Sequence, residues 1–137
     1  MLREAFTSLI DASEDFEVVG SAASAEAALD DLTTLDAELA VVDVSLAGSG
    51  EQSHGIYLTA QLRRLWPRLR VLVVSGHDET VYAEPALLAG ARGYLMKHEA
   101  GPNLLAAIRR VLHGEVVLSD RMQARLPTAL RAPVPAL

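Results

Sequence analysis

Three side chains that can take part in polar chemistry each lie at the carboxyl end of a predicted β-strand: Asp43, Ser75 and Lys97. A carboxylate that ends an apolar strand such as AELAVVD (residues 37–43) is costly to bury unless another group pairs with it. In parallel sheets covered by helices, ligands bind at the carboxyl ends of the strands. If the three strands lie in one such sheet, the carboxylate, the hydroxyl and the ammonium group therefore share one crevice.

The elements that must position these groups alternate between helix and strand. Apolar residues at helical spacing predict helices over residues 2–13, from Ser24 through Leu35, 56–65, 79–89, and from Gly101–Pro102 to Gly114. Ser24 and Asp78 are the predicted N-caps of the second and fourth of these helices. Short β-branched or continuous apolar runs predict strands over residues 15–22, 37–43, 69–76 and 91–97. Strands that alternate with helices form βαβ units, so we expect an α/β fold with a doubly wound parallel sheet.

The composition excludes several classes of protein. The 137 residues suffice for one domain, with 18 Asp and Glu against 12 Lys and Arg and a net charge of −6. This balance argues against a nucleic-acid or membrane-surface binder. The chain has no cysteine, no apolar run of membrane-spanning length and no signal-peptide pattern. We therefore expect a cytoplasmic protein that contacts neither nucleic acid nor membrane.

Other chemical motifs do not match. The segment GSGEQSHG lacks the Gly-Lys-Ser/Thr ending of a phosphate-binding loop. Ser75, His77 and Asp78 lie close in sequence but lack the nucleophile-elbow pattern. The four histidines show no metal-ligand spacing.

Three separated motifs resemble those of response-regulator receiver domains, the phosphoacceptor modules of two-component signalling. They are AVVDVSLAGSG with Asp43, VLVVSGHDE with Ser75, and ALLAGARGYLMK with Tyr94 and Lys97. The segment VYAEPALLAGARGYLMKHEA resembles the branch whose receivers precede a helix-turn-helix DNA-binding domain. The resemblance implies a flavodoxin-like (CheY-like) three-layer α/β/α receiver over residues 1–120, followed by a linker-like tail over residues 121–137.

The resemblance also implies a role for each residue. Asp43 accepts a phosphoryl group from a sensor histidine kinase, Lys97 pairs with a phosphoryl oxygen, and Ser75 donates its hydroxyl to another. Tyr94 changes rotamer in response and remodels the outer face. The family binds Mg²⁺ through the acceptor aspartate, a backbone carbonyl, here that of Ser45, and an acidic pair.

Each residue also has a plainer interpretation. Asp43 is of a type common at turns, and Ser75 followed by glycine often only ends a strand. Lys97 alone would be an ordinary solvated lysine, and Tyr94 fits a core position equally well. The combination of residues carries the prediction.

The amino terminus departs from the family pattern. Receivers begin with an apolar strand that ends in two acidic residues, whereas Met1 falls at the start of the following helix. The first strand and the acidic pair are therefore absent from this sequence, and Mg²⁺ binding is in question. Because that strand is central in the order 2-1-3-4-5, its absence separates residues 15–22 from residues 37–43. We expect an unstable or aggregating chain unless the two strands close this gap or a partner chain supplies a strand. One hypothesis is that an upstream reading frame encodes a strand that ends in the acidic pair.

Three further features differ from the family pattern. The loop between Asp43 and Gly55 is longer than in relatives, by about four residues, which surface loops tolerate at little cost. Pro85 falls in the middle of a predicted helix, where proline bends or destabilises it. After residue 120 the sequence ends within what resembles the linker, so the predicted chain carries no output domain.

These observations favour a phosphoacceptor signalling module that is a kinase substrate rather than an enzyme, with weak autodephosphorylation at most. It would switch conformation, with homodimerisation through the last strand and helices. One alternative is a degenerate receiver that binds partner proteins without phosphorylation, which the missing acidic pair favours. Another is a small flavodoxin-like cofactor or nucleotide binder, which would need a phosphate-binding turn after a first strand.

Overall fold

Runs of valine and leucine form three parallel strands at the centre of the molecule. The structure is a computed structural model that describes residues 2–22, 24–43, 51–76 and 78–126. The strands are β1 (Leu39–Asp43), β2 (Arg70–Ser75) and β3 (Gly93–Met96), in the order β1-β2-β3. Strand β2 is buried at nearly every position, as a strand covered on both faces must be.

Helices cover both faces of this sheet. They are α1 (Leu2–Asp11), α2 (Ala25–Asp31), α3 (Glu51–Leu65), α4 (Glu79–Leu88), α5 (Lys97–Leu112) and α6 (Asp120–Arg125). Buried residues of α1 and α5 pack against one face, and residues of α2, α3, α4 and α6 pack against the other. The predicted three-layer α/β/α fold with a parallel sheet is confirmed.

Polar caps fix the starts of two helices as the sequence predicted. Ser24 Oγ accepts a hydrogen bond from the amide of Ala27 at 3.1 Å, at the start of α2. At the start of α4, Asp78 Oδ1 accepts one from the amide of Thr80 at 2.9 Å. These bonds satisfy backbone donors that have no partner within the helix.

The earliest strand that was predicted within this sequence, residues 15–22, is not a strand in the structure. Residues 16–22 form no helix or strand, and no pairing joins them to the sheet in the described part of the chain. Instead, a cavity of about 1190 Å³ lies between them and β1. The prediction was wrong because β-branched residues indicate only local preference, whereas a strand also needs a hydrogen-bonding partner.

Helix α5 begins at Lys97, one turn before the predicted start at Gly101–Pro102. The Glu99 carboxylate accepts a hydrogen bond from the amide of Met96 at 3.3 Å, and this contact caps the helix ahead of the proline. Lys97 is therefore the first residue of a helix rather than the last residue of a strand. Helix α3 likewise begins at Glu51 rather than at residue 56.

Part of the predicted tail packs into the core. Residues 120–125 form α6, capped by Ser119, and the side chains of Met122 and Leu126 are buried. The sequence predicted a linker-like tail here because two apolar anchors are too few to give a clear helical pattern. Residues 127–137 lie outside the described residues.

Helix α4 continues through Pro85 from Glu79 to Leu88, despite the interior proline. It ends at Ala89, and Gly90 then adopts a φ of +115°, the left-handed conformation that glycine tolerates. A Cβ atom at Gly90 would also collide with the Arg63 side chain. In the described residues, no helix is both long enough and apolar enough to cross a membrane.

Candidate functional site

Asp43 ends β1 with a carboxylate that is almost fully buried. Its side chain is 5% exposed, and its Oδ1 atom lies 3.2 Å from Nζ of Lys97. Lys97 is 28% exposed, so its ammonium group reaches the carboxylate from the solvent side. A buried carboxylate is tolerated when a cation pairs with it, which accounts for the charge at this position.

The topology explains how Lys97 reaches Asp43. Asp43 is aligned with Val74 of β2, and Lys97 follows β3, on the far side of β2. The Lys97 stem crosses the end of β2, where its Cδ would lie 3.7 Å from a Cβ placed on Gly76. The pair therefore spans the carboxyl ends of all three strands.

Ser75 is the last residue of β2, and its side chain is fully buried. Its hydroxyl is hydrogen-bonded to the phenol of Tyr94. Since Val74 is aligned with Asp43, Ser75 lies one residue beyond the aspartate on the neighbouring strand. Its hydroxyl thus lies at the carboxyl ends of the strands and contacts the buried tyrosine.

Tyr94 lies within β3, and only 2% of it is exposed. Burial raises the pKa of its phenol, and the nearby carboxylates of Glu79 and Asp78 raise it further, whereas the bond to Ser75 lowers it. The phenol is therefore neutral at physiological pH. Tyr94 thus interacts both with Ser75 at the carboxyl end of β2 and with the carboxylates at the start of α4.

A second polar cluster at the start of α4 was missed from the sequence. Glu79 is 7% exposed, and its Oε1 accepts a hydrogen bond from Ser119 Oγ at 2.8 Å. Its Oε2 lies 3.3 Å from Nη2 of Arg121 on α6. The capping pattern of Ser119 followed by Asp120 was a signal for the helix, but nothing local indicates that it meets Glu79.

The predicted site residues thus form two contacting pairs, Asp43 with Lys97 and Ser75 with Tyr94. Ser45, predicted to offer its carbonyl to a metal, lies outside the described residues. Within the described ranges, no three His, Cys, Asp or Glu side chains cluster in a way that could hold a metal ion. Because Mg²⁺ needs near-octahedral oxygen coordination, Asp43 and its described neighbours do not form a Mg²⁺ site by themselves.

Comparison with known proteins adds independent information. Residues 1–109 match the family model described as "Response regulator receiver domain". The chain is 35% identical over 134 residues to the nitrate/nitrite response regulator protein NarL of Escherichia coli strain K12, a match that covers 96% of this chain and 59% of NarL. It is 31% identical over 131 residues to the DNA-binding transcriptional activator DevR/DosR of Mycobacterium tuberculosis, covering 96% of this chain and 58% of that protein. The chain thus spans about three fifths of the length of these curated relatives.

Solved structures show the same fold. The crystal structure of a LuxR-family two-component response regulator from Aurantimonas superposes with a TM-score of 0.79 at 28% identity, covering 90% of this chain and 85% of that one. The isolated receiver domain of RcsB from Salmonella enterica superposes with a TM-score of 0.75 at 21% identity, covering 90% and 86% of the two chains. At that identity the second likeness concerns the fold alone.

Proposed function

Because the chain belongs to the response regulator receiver domain family, we propose that Asp43 is its phosphoryl acceptor. The observation that carries the proposal is the buried Asp43 carboxylate with Lys97 3.2 Å away at the carboxyl ends of the strands. A receiver is a signalling module rather than a classical enzyme, and receivers are phosphorylated by sensor histidine kinases. Asp43 is therefore the residue to which a kinase delivers its phosphoryl group.

In this reaction a carboxylate oxygen of Asp43 forms a bond to phosphorus while the bond between phosphorus and the kinase imidazole breaks. The electron pair of that bond goes to the imidazole nitrogen, and the product is an acyl phosphate. Such transfers depend on positioning and on neutralisation of the phosphoryl oxygens. Lys97 supplies a positive charge within reach of them. Receivers of this family generally bind Mg²⁺ at the phosphorylation site, but Asp43 and its neighbours in the described part of the chain do not complete such a site.

The second pair of residues then responds to the phosphoryl group. The Ser75 hydroxyl turns from Tyr94 towards a phosphoryl oxygen, which removes a hydrogen bond from a buried phenol. Tyr94 responds by moving, and its neighbours on α4 move with it. A local charge is thereby converted into a change of the surface that α4 and β3 support.

Several finer properties belong to the same proposal. The module acts in the cytoplasm, dimerises through its last strand and helices, and makes no contact with nucleic acid within these residues. Any hydrolysis of its own aspartyl phosphate is slow. In the parent protein it regulates transcription, as the names of its curated relatives suggest.

Intact mass spectrometry after incubation with acetyl phosphate tests the acceptor. We expect one phosphoryl adduct on the wild type, none on Asp43→Asn, and an unchanged adduct on the matched control Asp30→Asn, whose aspartate is exposed on α2. Parallel samples with Mg²⁺ and with a chelator measure the dependence on metal. Circular dichroism of each sample establishes that it is folded.

No adduct on a folded wild-type sample, or an adduct that persists on Asp43→Asn, would contradict the proposal. The first result would support the alternative of a degenerate receiver that docks partner proteins without phosphorylation. The second would place the acceptor on another residue.

A further inference from the structure

Five arginines lie at the amino ends of the strands, at the opposite end of the sheet from Asp43. Arg70 is the first residue of β2, and Arg92 immediately precedes β3. The Arg92 amide donates a hydrogen bond to the carbonyl of Val71 at 2.8 Å, so the two arginines stand on neighbouring strands. The arginine cluster consists of Arg63 and Arg64 in the last turn of α3, Arg68 in the turn that follows, Arg70 and Arg92.

Helix α3 brings a third guanidinium group towards Arg92. The Arg63 side chain packs over Gly90, two residues before Arg92, where a Cβ atom would collide with it. Burial of Arg92 lowers the pKa of its guanidinium group, and the positive charges of Arg63 and Arg70 lower it further. Three like charges, supplied by α3, by β2 and by the residue before β3, therefore repel one another.

The arginine cluster forms no ion pair with a carboxylate in the part of the chain that the structure describes. Nη1 of Arg63 donates to the Pro67 carbonyl at 2.5 Å, and Nη2 of Arg64 donates to Oε1 of Gln61 at 2.8 Å, so both acceptors are neutral. Most of the other described cations are paired with acids. Those ion pairs join Lys97 to Asp43, Arg109 to Asp15, Arg110 to Glu115, and Arg121 to Asp78 and Glu79.

Acidic residues nearby leave these charges uncompensated. The Glu38 carbonyl accepts a hydrogen bond from the Arg70 amide at 3.1 Å, but its exposed carboxylate forms no ion pair with the Arg70 side chain. Glu115 precedes the residues that lie beside β3, but its carboxylate pairs with Arg110 at 2.9 Å. A half-buried cation among like charges costs stability, and natural sequences break such local rules chiefly at functional sites. We therefore expect a ligand to supply the negative charge.

The guanidinium groups restrict the chemistry of that ligand. Their planar forks match the oxygens of phosphates and carboxylates. Because Arg63, Arg70 and Arg92 act on one another at short range, the matching anion must hold several negative charges in a small volume. Linked phosphates have that charge density, whereas the acidic side chains of a polypeptide each carry one charge on a separate residue.

We propose that the arginine cluster binds a small anion with two or more linked phosphates, either a free oligophosphate or the phosphates of a nucleotide. Arg92 contacts the centre of the anion, and Arg63 and Arg70 neutralise it from two sides. The exposed Arg64 and Arg68 add attraction at longer range. The site is separate from the crevice at the carboxyl ends of the strands.

Isothermal titration calorimetry of the full chain with inorganic triphosphate tests the site, in metal-free buffer at constant ionic strength. We expect saturable binding of one triphosphate per chain. Arg92→Gln should weaken this binding about tenfold or more, because charge-assisted hydrogen bonds are lost. The matched control Arg125→Gln removes the same charge from an exposed arginine on α6 and should change the affinity by less than about twofold.

A second variant and a second readout support this measurement. Arg70→Gln should weaken binding in the same direction as Arg92→Gln, so the test does not depend on the folding of one variant. Triphosphate should raise the unfolding midpoint of the wild type with increasing concentration, and that of either variant by less. Adenosine triphosphate distinguishes the two sources: tighter binding than triphosphate identifies a nucleotide, and binding no tighter identifies a free oligophosphate.

Absence of saturable triphosphate binding would overturn the proposal, as would equal weakening by Arg92→Gln and Arg125→Gln. Tighter binding of citrate or of a duplex oligonucleotide than of triphosphate would also overturn it, because the ligand would then be a carboxylate or a nucleic acid. None of these results depends on phosphorylation of Asp43.

Discussion

At the scale of single residues, the Asp43–Lys97 pair determines what the crevice can do. The carboxylate is 5% exposed and the ammonium group is 28% exposed, so the lysine compensates a charge that water scarcely reaches. In the proposed reaction, the Lys97 ammonium group can pair with a phosphoryl oxygen on Asp43 after only a small movement. One side chain would thus serve both the resting state and the proposed phosphoryl transfer.

Replacing Lys97 by Met should destabilise the fold while Asp43 is ionised. The substitution leaves a buried carboxylate without its cation, which costs roughly 1–3 kcal/mol in free energy of unfolding at pH 7. Urea denaturation measures it, and the double variant Asp43→Asn with Lys97→Met should recover most of the loss because no charge is left buried. Equal losses in the single and double variants would contradict this account.

Tyr94 should make stability depend on alkaline pH. Its phenol has a raised pKa in the folded chain, chiefly because it is buried, so the unfolded chain releases this proton at lower pH than the folded chain does. The stability it contributes is complete below the ordinary tyrosine pKa of 10.0 and is lost as the pH rises above it. Denaturation of wild type and Tyr94→Phe across this range checks the prediction, since the variant should lose less stability above pH 10; parallel curves would contradict it.

At the scale of elements, α6 and α4 form a packed unit that extends the core beyond the sheet. Met122 is 2% exposed and belongs to the same apolar cluster as Tyr94 and Leu87. The polar contacts of Glu79 with Ser119 and Arg121 fix the register of the two helices. Helix α6 therefore packs into the same apolar cluster as Tyr94, the residue that is proposed to respond to phosphorylation.

Shortening Met122 to Ala should lower the free energy of unfolding by about 2–4 kcal/mol, because it removes buried volume and leaves a cavity. The matched control Arg125→Ala, on the exposed side of the same helix, should change it by less than about 0.5 kcal/mol. Chemical denaturation of both variants decides the matter. If the two losses were equal and small, α6 would not be part of the core.

Local patterns predicted the elements that depend on neighbouring residues. Ser24 and Asp78 were identified as helix caps because their hydrogen bonds reach only two or three residues along the chain. Strands β1, β2 and β3 were found because continuous apolar runs are typical of a doubly covered sheet. Topology predicted that Asp43 and Lys97 share one crevice once those strands were placed in one parallel sheet, but their direct ion pair is a finding of the structure.

Contacts between distant residues were not predictable in the same way. The segment 15–22 has the composition of a strand, yet no local feature indicates whether another strand lies beside it. Glu79 and Ser119 are forty residues apart, and each alone resembles an ordinary surface residue at a helix start. Such pairs are decided by packing, which a single sequence does not display.

At the scale of the whole molecule, hydrogen bonds of the sheet join residues 39–96, whereas the described side chains of residues 6–22 supply the contacts of the amino-terminal segment with the core. Phe6 and Phe16 pack on the face covered by α5, and Arg109 contacts both Asp15 and the Phe16 ring. The two parts of the molecule therefore differ in how they are held. Backbone hydrogen bonds join the strands, whereas side chains of the amino-terminal segment pack on the face of the sheet that α5 covers.

Amide hydrogen exchange should reveal this division. Amides of β2 should be the slowest in the molecule because the strand is central and buried. Within β1, the amides of Ala40 and Val42 bond to β2. They should exchange at least tenfold more slowly than the amides of Leu39 and Val41, which point to the cavity between β1 and residues 16–22. Uniform protection along β1 would show that its outer edge is paired in solution.

Residues 16–22, which make no hydrogen bonds to the sheet, also determine where the molecule opens first. Detaching residues 16–22 breaks side-chain contacts but no sheet hydrogen bonds, so this local opening costs less free energy than separating any two strands. A protease needs several residues of backbone outside helices and strands, and this stretch offers seven of them without sheet hydrogen bonds to break. Digestion at low protease concentration should therefore cut the chain once, before α2. The fragment that contains β1, α3, β2, α4, β3 and α5 should resist further cleavage.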